Sequence, residues 1–378
     1  MENRNRTFAT LMLLTALLCS GINLKGQVKY PTLKIGQTAP DFLLPGIDGK
    51  EYSLKDFENK EILVIMFICN HCPTAQSYED RMIQLVKDYR DKGVAFLAVS
   101  PNDPLSVRLD EMGYTDLGDD LEDMRIRAEY KKYNFPYVYD GETQAMSMRY
   151  GPVATPHVFI FDERRKLRYT GRIDDSELAV RPDTKHDTRN ALDALLAGKR
   201  VPLEKTKTFG CSIKWSDKRE AAKKAYKKIL QEEVTLEEIS AEEVKALVQE
   251  KPKKLRLINV WATWCGPCVT EFPDLVEINL MYRHRDFEFI SISADKLANK
   301  EKVHEFLKKQ HASATNYIFN GTDSYALIEA VDENWQGALP YTMLIGSNGE
   351  IIYAQQDAID PLEMKRKIVD VLGREKDW

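Results

Sequence analysis

Hydrophobic and polar positions repeat one layout twice along the chain. In the first half, the apolar run Ile62 to Ile68 has strand length and leads straight into a Cys-x-x-Cys motif. An amphipathic helical stretch follows and stops at Gly93, and Val94 to Ser100 forms the next apolar run. Further on, Thr155-Pro156 precedes another strand-like run. Strands that alternate with helices in this way predict an α/β sheet.

The second half has the same order of elements. The apolar run Leu255 to Ala262 leads into a second Cys-x-x-Cys motif, a helical stretch follows, and Phe287 to Ala294 is the next run. Leu339-Pro340 then precedes a strand, and Asn348-Gly349 predicts the turn of a hairpin. The chain is therefore predicted to contain two copies of one α/β architecture, each a central mixed sheet flanked by helices.

Composition places the boundaries between these copies. Residues 216–236 are rich in Lys, Arg, Glu and Ala, which favours a charged helical linker over a flexible tether. Ser240 with Glu243 fits a capping box at the first helix of the second domain. We therefore predict domains over residues 28–215 and 237–378.

The N-terminus resembles an export signal. Arg4 and Arg6 form a short positive region, and the apolar stretch Phe8 to Leu18 is too short for a typical membrane-spanning helix. Residues 1–27 are therefore predicted to be a signal peptide, and the protein to be exported to the periplasm or cell envelope. The alternative is a retained anchor or a buried helix. The net charge of −5, with both signs interspersed, argues against binding to nucleic acid.

Cysteine spacing points to redox chemistry. Without the signal, the cysteines are Cys69, Cys72, Cys211, Cys265 and Cys268. Four of them form two close pairs in a large exported chain, which is not the dense pattern of a small disulfide-stapled domain. A zinc ribbon would need a second ligand pair after Cys268, and none follows. We therefore predict reactive dithiols, with no metal and no cofactor.

The second pair has the geometry that thiol exchange requires. A cysteine at a helix N-terminus meets unpaired N–H groups, which lower the pKa of its thiol. Cys265 is thus the expected nucleophile, and Cys268 the resolving thiol that attacks the mixed disulfide. Pro267 suits the first helical turn, and Trp264 provides an apolar lip beside the motif.

The sequence WATWCGPCVTEFP, followed by ALPYTMLI, resembles the TlpA/ResA-type thioredoxins of bacterial envelopes over about residues 237–373. The resemblance implies a thioredoxin fold with Pro340 in cis beside the dithiol, and a backbone before Pro340 that binds substrate. It also implies that Glu271 moves a proton to or from the buried thiol. The alternative for Glu271 is an ordinary surface position on the helix.

The first domain resembles the redoxin (AhpC/TSA-like) superfamily through GQTAPDF, CNHCP, TPHVFIFD and GCSIKW. Within it, a peroxiredoxin-like group carries Cys-x-x-Cys. A dithiol mechanism would make Cys69 the nucleophile, Cys72 the resolving thiol and Pro156 the cis-proline. A peroxidase mechanism would instead use Cys72, but Cys69 replaces the threonine that peroxiredoxins have there. His71 is either a charge that lowers the thiolate pKa or a solvated loop residue.

Two features of this domain leave alternatives open. Cys211 is a candidate third redox thiol, or a buried small hydrophobic residue. Cys69, Cys72 and His71 are potential metal ligands, but a fourth ligand is not apparent in the sequence.

Taken together, the residues predict two thioredoxin-like domains that act by dithiol–disulfide exchange. The expected partners are disulfide-containing client proteins and a membrane thiol reductase that donates electrons; the oligomeric state stays open. One alternative is a thiol peroxidase recycled by the C-terminal domain. Another is an N-terminal domain that only binds clients.

Overall fold

Two mixed β-sheets flanked by helices make up the protein, so the predicted α/β class is confirmed. The computed structural model describes residues 30–177 and 180–374. The predicted signal peptide lies outside these residues. Among the helices described, none combines the length and the apolar character that crossing a bilayer would require.

The N-terminal half is built on a five-stranded sheet of order β5-β4-β3-β6-β7. Strands β3, β4 and β5 are parallel, and β6 and β7 continue the sheet antiparallel. A small hairpin of β1 and β2 precedes this sheet. The elements are β1 Leu43–Pro45, β2 Glu51–Ser53, β3 Ile62–Phe67, α1 Pro73–Ser77, α2 Glu79–Tyr89, β4 Val94–Ser100, α3 Leu121–Lys131, β5 Tyr137–Tyr139, α4 Ala145–Tyr150, β6 His157–Phe161, β7 Leu167–Gly171 and α5 Asp187–Leu196.

The C-terminal half is built on a six-stranded sheet of order β13-β12-β9-β10-β11-β8. Its central strand β9 runs parallel to β10 and antiparallel to β12. The elements are α6 Arg219–Ile229, β8 Glu237–Ile239, α7 Ala241–Gln249, β9 Leu255–Trp261, α8 Gly266–Tyr282, β10 Phe287–Ser293, α9 Lys300–Lys309, β11 Thr315–Phe319, α10 Ser324–Val331, β12 Tyr341–Ile345, β13 Ile351–Gln356 and α11 Pro361–Leu372.

The central strand of each sheet is buried along its whole length. In β3, Ile62, Val64 and Met66 face one apolar cluster, whereas Leu63 and Ile65 face another on the opposite side. Alternate side chains of a strand point to opposite faces, so an unbroken apolar run fits a strand covered by helices on both sides. Each Cys-x-x-Cys motif follows such a strand and is therefore attached to the buried core of its domain.

Helix starts in the second half follow the sequence signals. The predicted capping box is confirmed, because Ser240 Oγ accepts the N–H of Glu243 while Glu243 bonds back to the Ser240 N–H. Helix α6 occupies part of the predicted linker 216–236. Helix α8 continues through Pro273 to Tyr282.

A long connection after β4, residues 101–120, contacts both halves of the protein. Tyr282 Oη at the end of α8 donates to Thr115 O at 2.7 Å, and Arg285 donates to Gly113 O at 3.0 Å. Asp116 is buried and pairs with Arg374 near the C-terminus at 2.5 Å. This connection, which also covers the first Cys-x-x-Cys motif, therefore holds the C-terminal domain close to that motif.

Candidate redox sites

The C-terminal motif lies at the start of α8. Cys265 is the N-cap residue of this helix, and its Sγ accepts the N–H of Cys268 at 3.3 Å. The two cysteines form a disulfide. Cys268 is completely buried, whereas the neighbouring Trp264 is 66% exposed. Cys265 is itself only 6% exposed, but its neighbours Trp264, Gly266 and Pro267 are exposed. Cys265 is therefore the cysteine nearer the surface, with Cys268 beneath it.

Glu271 lies one helical turn after Cys268 and is only 4% exposed, which excludes the alternative of an ordinary surface position. Its carboxylate accepts hydrogen bonds from Asn259 Nδ2 at 3.0 Å and from the Ile359 N–H at 2.9 Å. Burial raises the pKa of Glu271, although these two bonds oppose the shift. A carboxyl group with a raised pKa beneath a buried thiol is suited to exchange a proton with it.

We expect Glu271→Gln to slow the attack of Cys268 on a mixed disulfide about tenfold, because glutamine cannot accept the thiol proton. In the parent chain this step should slow as the pH falls through the raised pKa of Glu271, and the variant should lose that pH dependence. Single-turnover release of a labelled peptide from Cys265 measures the step. Glu277→Gln, at an exposed position of the same helix, is the matched control and should leave the rate unchanged.

The same shift in pKa predicts the effect on stability. Because the pKa of Glu271 is higher in the folded than in the unfolded chain, folding stability falls as the pH rises through that interval. Glutamine removes this cost, so the variant should be at least as stable as the parent at neutral pH. A variant that unfolds more easily at pH 7 would contradict the assignment of a raised pKa.

The N-terminal motif is enclosed. Cys72 is the N-cap residue of α1 and accepts the N–H of Ala75 at 3.4 Å. It also accepts the N–H of Cys211 at 3.3 Å. Cys69 is 4% exposed, His71 2% and Cys72 0%, in contrast to the open lip beside Cys265.

Strand register shows which cysteines correspond between the two halves. In each half a cis-proline precedes a strand that pairs antiparallel with the strand before the motif. The first residue of that strand faces Val260 in the C-terminal sheet and Phe67 in the N-terminal sheet. Cys265 lies five positions after Val260, and Cys72 lies five positions after Phe67. Cys72, not Cys69, is therefore the structural counterpart of Cys265.

The electrostatics of the pair agree with this correspondence. Burial works against a charge on Cys72, yet the thiols of Cys211 and Cys69 and the charge of His71 hold its pKa well below the ordinary value. Burial, with the nearby Cys72 and the carboxylate of Asp119, raises the pKa of Cys69. The prediction that Cys69 is the nucleophile and Cys72 the resolving thiol therefore conflicts with the structure, which stabilises the thiolate at Cys72.

His71 belongs to a buried polar network. Its Nδ1 lies 2.5 Å from Asp119 Oδ2, and the same oxygen accepts a bond from Asn102 Nδ2 at 2.8 Å. Burial disfavours the charged imidazole, but the Asp119 carboxylate overcomes this and raises the pKa of His71. The alternative of a solvated loop histidine is thus excluded, and a buried cation lies beside Cys72.

Asp119 is a candidate for the additional ligand that a metal site would need. Cys69, His71 and Asp119 bring one ligand atom each within 4.8 Å of one another. However, Asp119 Oδ1 already accepts the N–H groups of Asn70 and His71, and Oδ2 accepts from His71 and Asn102. Because each oxygen has two donors, the arrangement favours an ion pair over metal coordination.

Both prolines follow cis peptide bonds, as the resemblance implied for Pro340 and the dithiol mechanism for Pro156. Thr155, before Pro156, contacts both thiols: its Oγ1 lies 3.0 Å from Cys69 Sγ, and its carbonyl oxygen 3.3 Å from Cys72 Sγ. Leu339, before Pro340, packs against the cluster that contains Cys265 and Cys268. Cys211 is half-buried beside Cys72, between the two predicted alternatives.

Sequence reasoning missed Asp119 and the shift in motif alignment. Asp119 lies 48 residues from His71 in a loop of mixed composition, where no local pattern marks it. The alignment had a signal: Pro73 directly follows Cys72, and proline is favoured at the first position of a helix.

Comparison with known proteins covers both halves. A sequence model described as the AhpC/TSA family matches residues 35–170, and one described as Redoxin matches residues 224–372. The chain is similar to the thiol-disulfide oxidoreductase ResA of Geobacillus thermodenitrificans, at 27% identity over 42% of this chain and 80% of the relative. ResA of Bacillus thuringiensis subsp. konkukian is 25% identical over 44% of this chain and 87% of that protein.

Among solved structures, an uncharacterized conserved protein from Geobacillus kaustophilus is 39% identical. That match covers 50% of this chain and 96% of the other, with a TM-score of 0.44. The two family matches lie one after the other and together span about three quarters of the chain. The chain is therefore an oxidoreductase of the thioredoxin superfamily, with an AhpC/TSA domain and a redoxin domain in tandem.

Proposed function

We propose that the protein is an exported thiol-disulfide oxidoreductase that acts on protein disulfides through its two Cys-x-x-Cys centres. The relatives named thiol-disulfide oxidoreductase support this activity in general terms. The observation that carries the proposal is the Cys265–Cys268 disulfide at the start of α8, where Cys268 is completely buried and Cys265 lies between the exposed residues Trp264 and Gly266.

In the C-terminal centre, the Cys265 thiolate attacks a client disulfide and forms a mixed disulfide. Cys268, deprotonated with the help of Glu271, then attacks Cys265 Sγ and releases the reduced client. The exposed ring of Trp264 offers an apolar contact to the client beside the reacting sulfur. A client disulfide gains two electrons, and the Cys265–Cys268 pair loses them.

In the N-terminal centre, the low pKa of Cys72 makes it the attacking thiolate, with Cys69 as the thiol that closes the ring. This order of roles replaces the one expected from the motif alone. The network of His71, Asp119 and Asn102 supports the anionic sulfur from inside the protein.

The arrangement of the two domains does not favour direct exchange between the centres. Cys265 is at one end of α8, whereas Tyr282 at its other end bonds to Thr115, which lies beside the N-terminal motif. Seventeen helical residues separate these ends by roughly 25 Å. A peroxidase that the C-terminal domain recycles within one chain would need this interface to open.

The compartment and the electron donor are part of the proposal. The charged and apolar pattern of residues 1–27 supports export to the periplasm or envelope. In that setting we infer that disulfide-containing proteins are the clients, and that a membrane thiol reductase returns electrons to the oxidised pairs.

Redox titration with thiol trapping tests the proposal. The parent chain is compared with Cys69→Ser/Cys72→Ser and Cys265→Ser/Cys268→Ser chains in dithiothreitol buffers of stepped potential. Each pair should titrate as a two-electron couple, and its midpoint should be unchanged when the other pair is absent. A Cys265–Cys268 pair that does not cycle between dithiol and disulfide would overturn the proposal.

The client-binding alternative has its own outcome. If the Cys69→Ser/Cys72→Ser chain keeps its full rate of protein-disulfide reduction but loses discrimination between client proteins, the N-terminal domain binds clients without redox chemistry. Comparing the rates for insulin and for a small peptide disulfide measures this discrimination.

A further inference from the structure

The segment that carries Cys211 is joined to the N-terminal redox centre through its backbone. Thr155 N–H donates to Cys211 O at 3.0 Å, and Thr155 and Cys211 form an antiparallel bridge. In the same residue, the Cys211 N–H donates to Cys72 Sγ. Hydrogen bonds thus hold both the backbone N–H and the backbone C=O of Cys211.

Gly210 makes this close approach feasible. Its φ of +128° is one that residues with side chains rarely adopt. A Cβ atom at this position would lie only 2.1 Å from Thr155 O. A larger residue would therefore push the Cys211 segment away from the centre.

The C-terminal domain lacks such a cover. Its motif is exposed at Trp264, and within residues 30–177 and 180–374 no backbone hydrogen bond involves Leu339, the counterpart of Thr155. The N-terminal motif, in contrast, is buried from Cys69 to Gln76. Of the three thiols in that centre, Cys211 alone is more than marginally exposed.

We propose that Cys211 is the thiol through which the buried Cys69–Cys72 pair exchanges electrons with outside disulfides, by way of a Cys72–Cys211 disulfide. This inference rests on the proposed function of the N-terminal centre. It deepens that function by naming the entry point of the substrate.

The exchange balances as three thiol–disulfide steps. The Cys211 thiolate attacks a client disulfide, forms a bond to one client sulfur and expels the other, which takes up a proton. The Cys72 thiolate attacks Cys211 Sγ, forms the Cys72–Cys211 bond and expels the second client sulfur, which is also protonated. Cys69 then attacks Cys72 Sγ, and its proton passes to Cys211 as the Cys69–Cys72 disulfide forms. The client gains two electrons, and the Cys69–Cys72 pair loses two.

The charge distribution suits the middle step. Cys72 Sγ accepts the N–H of Cys211 at 3.3 Å, and Cys211 packs against the cluster that contains Cys69 and Cys72. The residues that react are therefore already neighbours, and the lowered pKa of Cys72 favours the anion on the attacking sulfur. Attack on Cys211 needs no large movement of the backbone.

The test uses the full chain with Cys265→Ser and Cys268→Ser, so that only the N-terminal centre reacts. Oxidised glutathione is the probe, and non-reduced peptide mapping identifies the products. Adding Cys69→Ser should make the Cys72–Cys211 disulfide accumulate. Adding Cys211→Ser instead should slow formation of the Cys69–Cys72 disulfide at least about fivefold, whereas Ser212→Ala, at the exposed neighbouring position, should leave it unchanged.

Two results separate this inference from the function on which it rests. If the Cys69–Cys72 disulfide forms equally fast with and without Cys211, the entry role is overturned while dithiol chemistry stands. If no Cys69–Cys72 disulfide forms in either chain, the redox function of this centre fails and the inference with it. A further measurement does not depend on the folding of these variants, because it uses the Cys265→Ser/Cys268→Ser chain with all three N-terminal thiols in place. At short times glutathione should be found on Cys211. Its appearance first on Cys72 or Cys69 would overturn the inference.

Discussion

Replacing Cys265 with serine is expected to lower the rate at which the chain reduces insulin disulfides by at least roughly 100-fold, because the attacking sulfur is lost. The N-terminal centre compensates little for this loss on a client as large as insulin, since Cys69 and Cys72 are buried and this centre reaches outside disulfides only through the half-buried Cys211. Insulin turbidity with dithiothreitol as the electron source measures the rate. Far-UV circular dichroism and the urea unfolding midpoint of the same samples show whether the fold is kept.

Cys268→Ser is the matched variant for this prediction. It retains the nucleophile but lacks the thiol that resolves the mixed disulfide, so multiple turnover should also fail while a covalent complex with the client accumulates. Non-reducing electrophoresis should show that complex for Cys268→Ser and not for Cys265→Ser. A Cys265→Ser chain that reduces insulin at half the parent rate or more would remove this pair from the reaction.

Local patterns were enough to predict both sheets. Runs such as those in β3 and β9 are apolar at every position, and only a strand covered on both faces buries such a run efficiently. Two further signals completed the prediction of two related folds. They are the Cys-x-x-Cys motif at the end of each central strand and the proline before the strand that pairs antiparallel with it. These signals lie within a few residues of one another, where chain geometry limits the alternatives.

The alignment of the two motifs required the sheet itself. In the sequence alone, Cys69 and Cys265 correspond, because each is the first cysteine of a Cys-x-x-Cys motif. Only the register of β6 on β3 and of β12 on β9 shows that the first pair is displaced by three residues toward the strand. The helix therefore begins after the second cysteine in the N-terminal domain and after the first cysteine in the C-terminal domain. The thiolate is accordingly the second cysteine of one motif and the first cysteine of the other.

Long-range partners were beyond sequence reasoning for a similar reason. Asp119 is one of several acidic residues between Leu109 and Asp123, and burial decides which of them matters. Asp116 pairs with Arg374 across the domain boundary, whereas Asp119 faces His71. One loop thus supplies a contact to the C-terminal domain and a counter-charge to the N-terminal centre, although nothing in its composition separates the two roles.

That counter-charge leads to the second large effect. We expect His71→Gln to raise the pKa of Cys72 and to reduce its alkylation by iodoacetamide at pH 6 about 30-fold, because a positive charge beside the thiolate is lost. Thiolate absorbance at 240 nm, followed against pH in the Cys265→Ser/Cys268→Ser chain, reports the pKa without depending on access. Subtracting the same titration of a Cys72→Ser chain isolates this sulfur.

His157, the residue after Pro156, provides the matched control. It is equally buried, but burial lowers its pKa to about 3, so it carries no charge at neutral pH. His157→Gln therefore removes an imidazole without removing a cation, and the pKa of Cys72 should stay where it is. If both variants shift the titration by the same amount, loss of packing explains the effect. If neither does, the thiolate draws its stability from the N–H groups of Ala75 and Cys211 and from the neighbouring thiols alone, and the role given to His71 and Asp119 is wrong.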